Sequence, residues 1–315
     1  MTTADRAAPA ESPAAAWPAL PLEGWQPTYD TVHLWTQMVG KTRLALSPME
    51  NHWWHVALYV TPRGLTSSPI PYGRRTFEVA FDFVDHLLAV RTSGGETRTL
   101  ALEARPVADF YRDYLALLGS LDLDVHIWPH PSEMDDTIPF PDDRVHAAYD
   151  PDAAQRCWRV MVQIDRVMKR FRGQFIGKCS PVHFWWGGFD MACTRFSGRP
   201  APRHPGGVPN LPDDVAVEAY SHECISAGWW PGGGPVAEPS FYAYAYPEPP
   251  GCPEAVVRPA AASYHPLLHE WVLPYNAVRT APDPDAVLLD FLQSTYAAAA
   301  DLGGWDRAAL ERDSG

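Results

Sequence analysis

The stretch SPVHFWWGGFDMACTRFSGR, residues 180–199, decides how the chain is read. It is rich in aromatic and β-favouring residues, is interrupted by Gly187-Gly188, and reads as sheet, not helix. A second tryptophan-rich stretch, SPMENHWWHVALYVTPRG at residues 47–64, lies against it, with two fewer residues between Ser-Pro and His in the later copy. DHLLAVRTSGG likewise lies against ECISAGWWPGG and pairs Asp85 with Glu223.

Around these anchors the two halves share an order. In the first, TYDTVHLWTQMVG has helical spacing and a stop at Gly40, followed by strands in KTRLALSP, HWWHVALYVTPRG, TFEVAFDFVDHLLAVRTSGG and TRTLAL, then the helix VADFYRDYLALLGSL. In the second, Asp150 caps a long helix that begins at Pro151 and carries Cys157, Met161, Ile164, Met168, Phe171 and Phe175 on one stripe. Strands follow in PVHFWWGGFDMACTRFS, VEAYSHECISAGWW and SFYAYAY, and the helix DPDAVLLDFLQSTYAAAADLGG closes the block. The expectation is an α+β protein of two similar lobes, each helix, antiparallel β-strands, helix, arising by internal duplication. Under it His52 and His183 are equivalent and a pocket lies between the lobes. The chain then divides into a disordered tail (1–20), a first lobe (21–128), a Pro- and acid-rich linker (129–149), a second lobe (150–303) and a C-terminal tail (304–315).

Composition bounds the function. Of 315 residues, 46% are hydrophobic and 20% charged, which suits a globular protein with a sizeable core. A formal net charge of -13 speaks against nucleic acid or an anionic membrane as partner. No apolar run approaches the ~20 residues of a membrane span, and the first 20 residues hold no secretory apolar segment. A cytoplasmic location is expected. Five widely spaced cysteines without a C-x-x-C fit reduced thiols, with Cys179 and Cys224 as candidate nucleophiles if a base lies near. The basic residues of the long helix, Arg156 to Arg172, suggest either a solvated face or a seat for a small anion.

Familiar motifs are absent. GQFIGKCS at residues 173–180 falls one residue short of a phosphate-binding loop and leads from helix to strand, the reverse of what that loop requires. Alternation places His222 and Glu223 on opposite faces, so they cannot share an ion. A bulge at Gly187-Gly188 would bring His183 and Asp190 to one face. With His222 they would form a two-histidine, one-carboxylate site for one divalent iron or zinc ion. Glu223 and Asp85 are then the acid/base candidates. The plainer alternative makes His183 and His222 core histidines. His265 and His269, in HPLLHE, sit one helical turn apart or begin a solvated helix. His52, Trp54, Trp185, Trp186, Tyr242 and Tyr244 are the candidate ligand-binding walls. Tyr242, Tyr244 and Tyr246 form a row that would stack a sugar or flat ligand, unless a helix covers it.

At NHWWHVALYVTPRGLTSSPIPYG, FDFVDH, KRFRGQFIGKCSPVHFWWGGFDMACTRFSGR, EAYSHECISAGWWPG and FYAYAYPEP, the chain resembles a bacterial family of unknown function, DUF5996, from about Trp17 to Trp305. The resemblance implies one shared architecture and carries no activity with it. The expected function is a metal-dependent enzyme acting on a small polar or aromatic molecule in an inter-lobe pocket. The alternatives are a non-catalytic sugar- or aromatic-binding protein and a structural or interaction protein.

Overall fold

The structure, a computed structural model, describes residues 13–134, 138–207 and 210–312. In chain order its elements begin with α1 (Pro13–Ala16), α2 (Gln26–Leu46) and a 3-10 turn (Asn51–Val56). Six strands follow: β1 (Tyr59–Thr61), β2 (Gly64–Thr66), β3 (Ile70–Tyr72), β4 (Arg75–Asp82), β5 (Leu87–Thr92) and β6 (Thr97–Ala101). After α3 (Val107–Gly119) and α4 (Pro151–Gly173) come β7 (His183–Trp185), β8 (Asp190–Pro200), α5 (Asp213–Ala219), β9 (His222–Trp230) and β10 (Ser240–Tyr246). The chain closes with β11 (Ser263–His265), β12 (Glu270–Pro274), α6 (Tyr275–Arg279), α7 (Pro284–Leu302) and α8 (Arg307–Leu310).

The strands form two six-stranded antiparallel sheets, so the fold is α+β. The first runs β1-β2-β4-β5-β6 with β3 beside β4, and the second runs β11-β12-β10-β9-β8-β7. Phe77, Val79 and Phe81 alternate inward on β4, as their spacing requires. Asp150 caps α4 by accepting from the amides of Asp152 and Ala153. The α4 stripe, with α7, covers one face of the second sheet through Met191, Cys193, Ile225, Trp229 and Phe241. The sheets meet edge to edge where Leu58 and Phe184 exchange backbone hydrogen bonds of 2.9 and 2.8 Å.

Helix, strands, helix is thus the order in both halves, but the two sheets differ in strand order. The tryptophan-rich segments that align in sequence also differ in conformation. NHWWHV forms the 3-10 turn with His52 and Trp53 at φ 57° and 62°, whereas HFW is strand β7. His52 and His183 do not occupy equivalent places. Part of the expected tail is described: Trp17 and Leu20 are buried, and residues 1–12 lie outside the described residues. At the other end, Glu311 bridges to Phe175, and residues 313–315 again lie outside. Within the linker, Phe140 is fully buried.

Local departures have physical causes. KTRLAL is not a strand but the last turns of α2, which ends at Ser47, ahead of Pro48. Gly40 does not stop that helix. A Cβ there would lie 2.1 Å from the Trp186 indole, so the glycine is a notch for that ring. VEAY is not strand either, because Pro212 and the acidic first turn Asp213-Asp214 start α5. HPLLHE is a hairpin turn between β11 and β12, with His269 in the left-handed region at φ 57°.

Gly40→Ala tests the notch. Helix propensity favours alanine by ~1 kcal/mol. Overpacking against a fixed indole costs ~1–3 kcal/mol. At 2.1 Å the clash should win. The variant should melt several degrees below wild type with altered tryptophan emission; an unchanged or raised melting temperature would show that Trp186 moves freely.

Candidate functional site

On the face of the second sheet away from α4 and α7 opens a cleft of about 1770 Å³. Register fixes its floor. Ala192, Gly228 and Tyr242 lie in one cross-strand row, and Thr194, Ser226 and Tyr244 in the next. The rows differ in consequence. Thr194 and Ser226 hydroxyls bond each other at 2.9 Å, whereas Gly228 leaves a gap over which the Tyr242 ring lies. A Cβ at 228 would stand 2.3 Å from Tyr242 Cζ. Crossing that gap, the Tyr242 phenol donates to Asp190 Oδ2. Tyr244 shares a 2.8 Å hydrogen bond with Tyr220.

One wall is the left-handed turn at His52-Trp53, held by α5. His52 Nδ1 donates to the Ala219 carbonyl at 2.9 Å, leaving Nε2 to accept from Lys178 at 2.7 Å. The other wall combines α2 with the Trp128 to Glu133 loop. Gln37 clamps that loop, accepting from the Ser132 amide at 2.8 Å and donating to its carbonyl at 2.9 Å, while Lys41 donates to Ser132 Oγ at 2.7 Å. Between the walls, the turn joining β7 to β8 is pinned by His33 Nε2–H, which faces the Trp186 and Gly187 carbonyls at 3.0 and 2.8 Å.

Carboxyl groups converge here. Asp190 and Glu133 both flank Gly188, Asp190 Oδ1 at 3.1 Å and Glu133 Oε2 at 3.9 Å from where a Cβ would stand. Glu133 Oε1 fills the space that a Cβ on Gly187 would take. Glu270 lines the same cleft from β12. Burial pushes the Asp190 carboxyl up to about 7, the Tyr242 hydrogen bond opposing and Glu133 adding to the rise. Burial pushes Glu270 up to about 7 as well, reinforced by Asp190. Glu133 is open to the cleft's solvent, yet its carboxylate is packed against the turn. Burial of the carboxylate against that turn raises it, and Lys41 pulls it back. Lys41 is lowered to about 8 by burial.

Of the residues singled out in the sequence, His52, Trp54, Trp185, Trp186, Asp190, Tyr242 and Tyr244 line the cleft. His183 and Asp190 do reach one face, but through a hairpin and not a bulge, since Trp185 pairs with Asp190 across the turn. His183 does not line the cleft. Its ring packs against Trp54, Tyr59 and Trp185, both nitrogens lack a hydrogen-bond partner among the described residues, and burial, with Arg43 and Arg172 adding to it, lowers it to about 3. His222 stands beside His52, ring centroids 5.8 Å apart. The three expected ligands therefore sit in three separate surroundings, and among the described residues no three His, Cys, Asp or Glu side chains are grouped to hold a metal ion. Glu223 faces away and accepts from Arg199 and Ser197; Asp85 is in an exposed ion pair with Arg63. His269 pairs with Glu248 at the rim. Cys224 lines the cleft, but burial pushes its thiol up to about 12, which keeps it protonated. Cys179 lies outside the cleft, its Sγ 3.6 Å from Cys193 Sγ.

Sequence reasoning missed Lys41, Glu133 and Glu270. The signal for Glu270 was present: Trp271 and Leu273 alternate with it, as in a strand, immediately after the turn.

The chain belongs to the DUF5996 family of unknown function, which matches residues 17–312. No curated protein and no solved structure matches it. No helix of the described residues is long and apolar enough to cross a membrane.

The raised Glu270 carboxyl has a thermodynamic signature. Its folded value, about 7, exceeds the ordinary ~4.3 of the unfolded chain. Its stabilising contribution is therefore complete below about pH 4 and is lost as pH rises to about 7. Glu270→Gln escapes that loss. Its melting temperature relative to wild type should climb by a few degrees between pH 4.5 and 8 in thermal scans; a pH-independent difference would show that the carboxyl is not perturbed.

Proposed function

We propose, since membership of the family brings no activity with it, that the cleft is an active site for a small organic molecule, with Asp190 and Glu270 as a general acid–base pair. One observation carries this reading: two carboxyls facing the same aromatic-walled cleft are both pushed to about 7, where an acid and a base can work at neutral pH. Each carboxyl is pushed to about 7, Asp190 adding to the rise of Glu270, so between them they hold about one proton near neutral pH. Asp190 receives the Tyr242 phenol proton in a hydrogen bond, which favours its ionised form and the role of base. Glu270 accepts no hydrogen bond from a described residue and keeps the proton, which suits the acid.

In this scheme Asp190 takes a proton from the substrate or from attacking water, and Glu270 delivers one to the leaving group or to the substrate atom on which negative charge develops. Trp185, Trp230 and Tyr244 hold the substrate's flat or apolar part and keep bulk water away. The scheme needs no metal. It is preferred to the iron or zinc reading because His183 and His222 stand apart from Asp190.

The test is to incubate the protein with a small-molecule cell extract and follow individual compounds by mass spectrometry. At least one should be consumed, with a bell-shaped pH dependence centred near 7. Asp190→Asn and Glu270→Gln should each slow its consumption by about 10²–10⁴-fold. A compound that binds but is never consumed, or is consumed equally by both variants, would overturn the acid–base reading; the first result would leave a binding protein.

A further inference from the structure

We infer that the molecule taken by this cleft carries an organic ammonium group, seated among the carboxylates of Glu133, Asp190 and Glu270 and against the aromatic walls. The inference rests on reading the cleft as a substrate site, though not on turnover.

The charge inventory comes first. Glu133, Asp190 and Glu270 line the cleft from three separate segments, a fourth carboxyl, Glu248, being paired with His269 at the rim. Among the described residues the lysine lining it, Lys41, is engaged with Ser132, and Lys178, behind the wall, with His52. No arginine lines the cleft among the described residues. Neither Glu133 nor Glu270 accepts a hydrogen bond from a described residue, and Asp190 has the Tyr242 phenol and its own backbone amide. With about one proton held between Asp190 and Glu270, an anionic ligand would meet the remaining carboxylate charge of that pair and of Glu133. A neutral polyol would satisfy lone pairs but leave that charge with no counter-ion beyond Lys41, whereas an ammonium ion supplies both donors and charge.

The walls point the same way through an independent observation. Two of the cleft's tryptophans already carry an ammonium ion of the protein itself. Lys41 Nζ stands 5.4 Å from the Trp186 ring centroid, and Lys178 Nζ stands 5.4 Å from that of Trp54. Indole faces attract cations through their quadrupole, most of all where water is displaced. Tyr242 and Trp230 continue the aromatic surface along the floor, ring centroids 5.4 Å apart. The cleft's volume, about 1770 Å³, leaves room for an ammonium group borne on an extended or aromatic body.

Non-reacting probes separate this inference from the catalytic reading. Benzyltrimethylammonium, benzyl alcohol, benzoate and methyl glucoside would be titrated into the full-length protein, with binding read by tryptophan fluorescence and calorimetry. The cation should bind at least tenfold more tightly than the neutral compounds, and benzoate should not compete with it. Glu270→Gln and Glu133→Gln, each checked for native circular dichroism, should weaken the cation at least tenfold while leaving benzyl alcohol unaffected; Glu133 tests the charge from a loop, outside the strands of the sheet. Benzoate or methyl glucoside binding as tightly as the cation, an unchanged cation affinity in both variants, or no binding of the cation would overturn the inference. Cation binding in a protein without turnover would instead sink the acid–base scheme alone.

Discussion

The Trp186 indole in the notch at Gly40 is the contact on which the two halves depend. Its Nε1–H donates to the Val56 carbonyl at 2.9 Å, its face receives the Lys41 ammonium, and its own carbonyl is held by His33. One side chain thus ties the first long helix, the left-handed turn and the β7–β8 hairpin together. Asp190 follows that hairpin turn directly, so the position of the carboxylate is set by packing in the other half of the chain. A buried ring this well enclosed has few alternatives, because interiors are packed as densely as crystals.

The chemistry of the cleft follows from what burial does to carboxyl groups that are near each other but not paired with a base. Most acidic groups of this chain with a partner have an arginine: Arg63 with Asp82 and Asp85, Arg199 with Glu223, and Arg258 with Asp290. Those ion pairs are on the surface, where each contributes little. In the cleft the pattern reverses, and phenols, indoles and one lysine surround Asp190, Glu133 and Glu270. Tyr242 reaches Asp190 only because β9 presents no side chain at Gly228. The absent side chain there does as much to shape the site as the groups around it.

Much of the fold was legible because periodicity and capping act locally. The helix from Pro151, its Asp150 cap, the alternation on β4 and the tyrosine row on β10 all depend on neighbours in sequence. What sequence misjudged depended on distant partners. Gly40 reads as a helix stop until Trp186 is seen lying on it, 146 positions away in the numbering. NHWWHV reads as a strand because its composition suits one, but hydrogen bonds from α5 hold His52 in the left-handed region. In the site, the aromatic walls and Asp190 were visible as residue types on strands. The grouping of His183 and His222 with Asp190 was a statement about three-dimensional proximity, which strand alternation cannot supply. Glu270 was missed for a different reason: the alternation of its short strand was present, but the helix-like spacing of His265 and His269 just before it drew the reading.

The backbone exchange between Leu58 and Phe184 joins β1 and β7, each the outermost strand of its own sheet. An unpaired strand edge is a template for association with other chains. By turning two such edges toward each other, the fold uses each half as the guard of the other's adhesive border. Cutting the chain between the halves would expose both borders at once, and the fragments would be prone to aggregate through the same hydrogen-bonding groups that hold the intact molecule together.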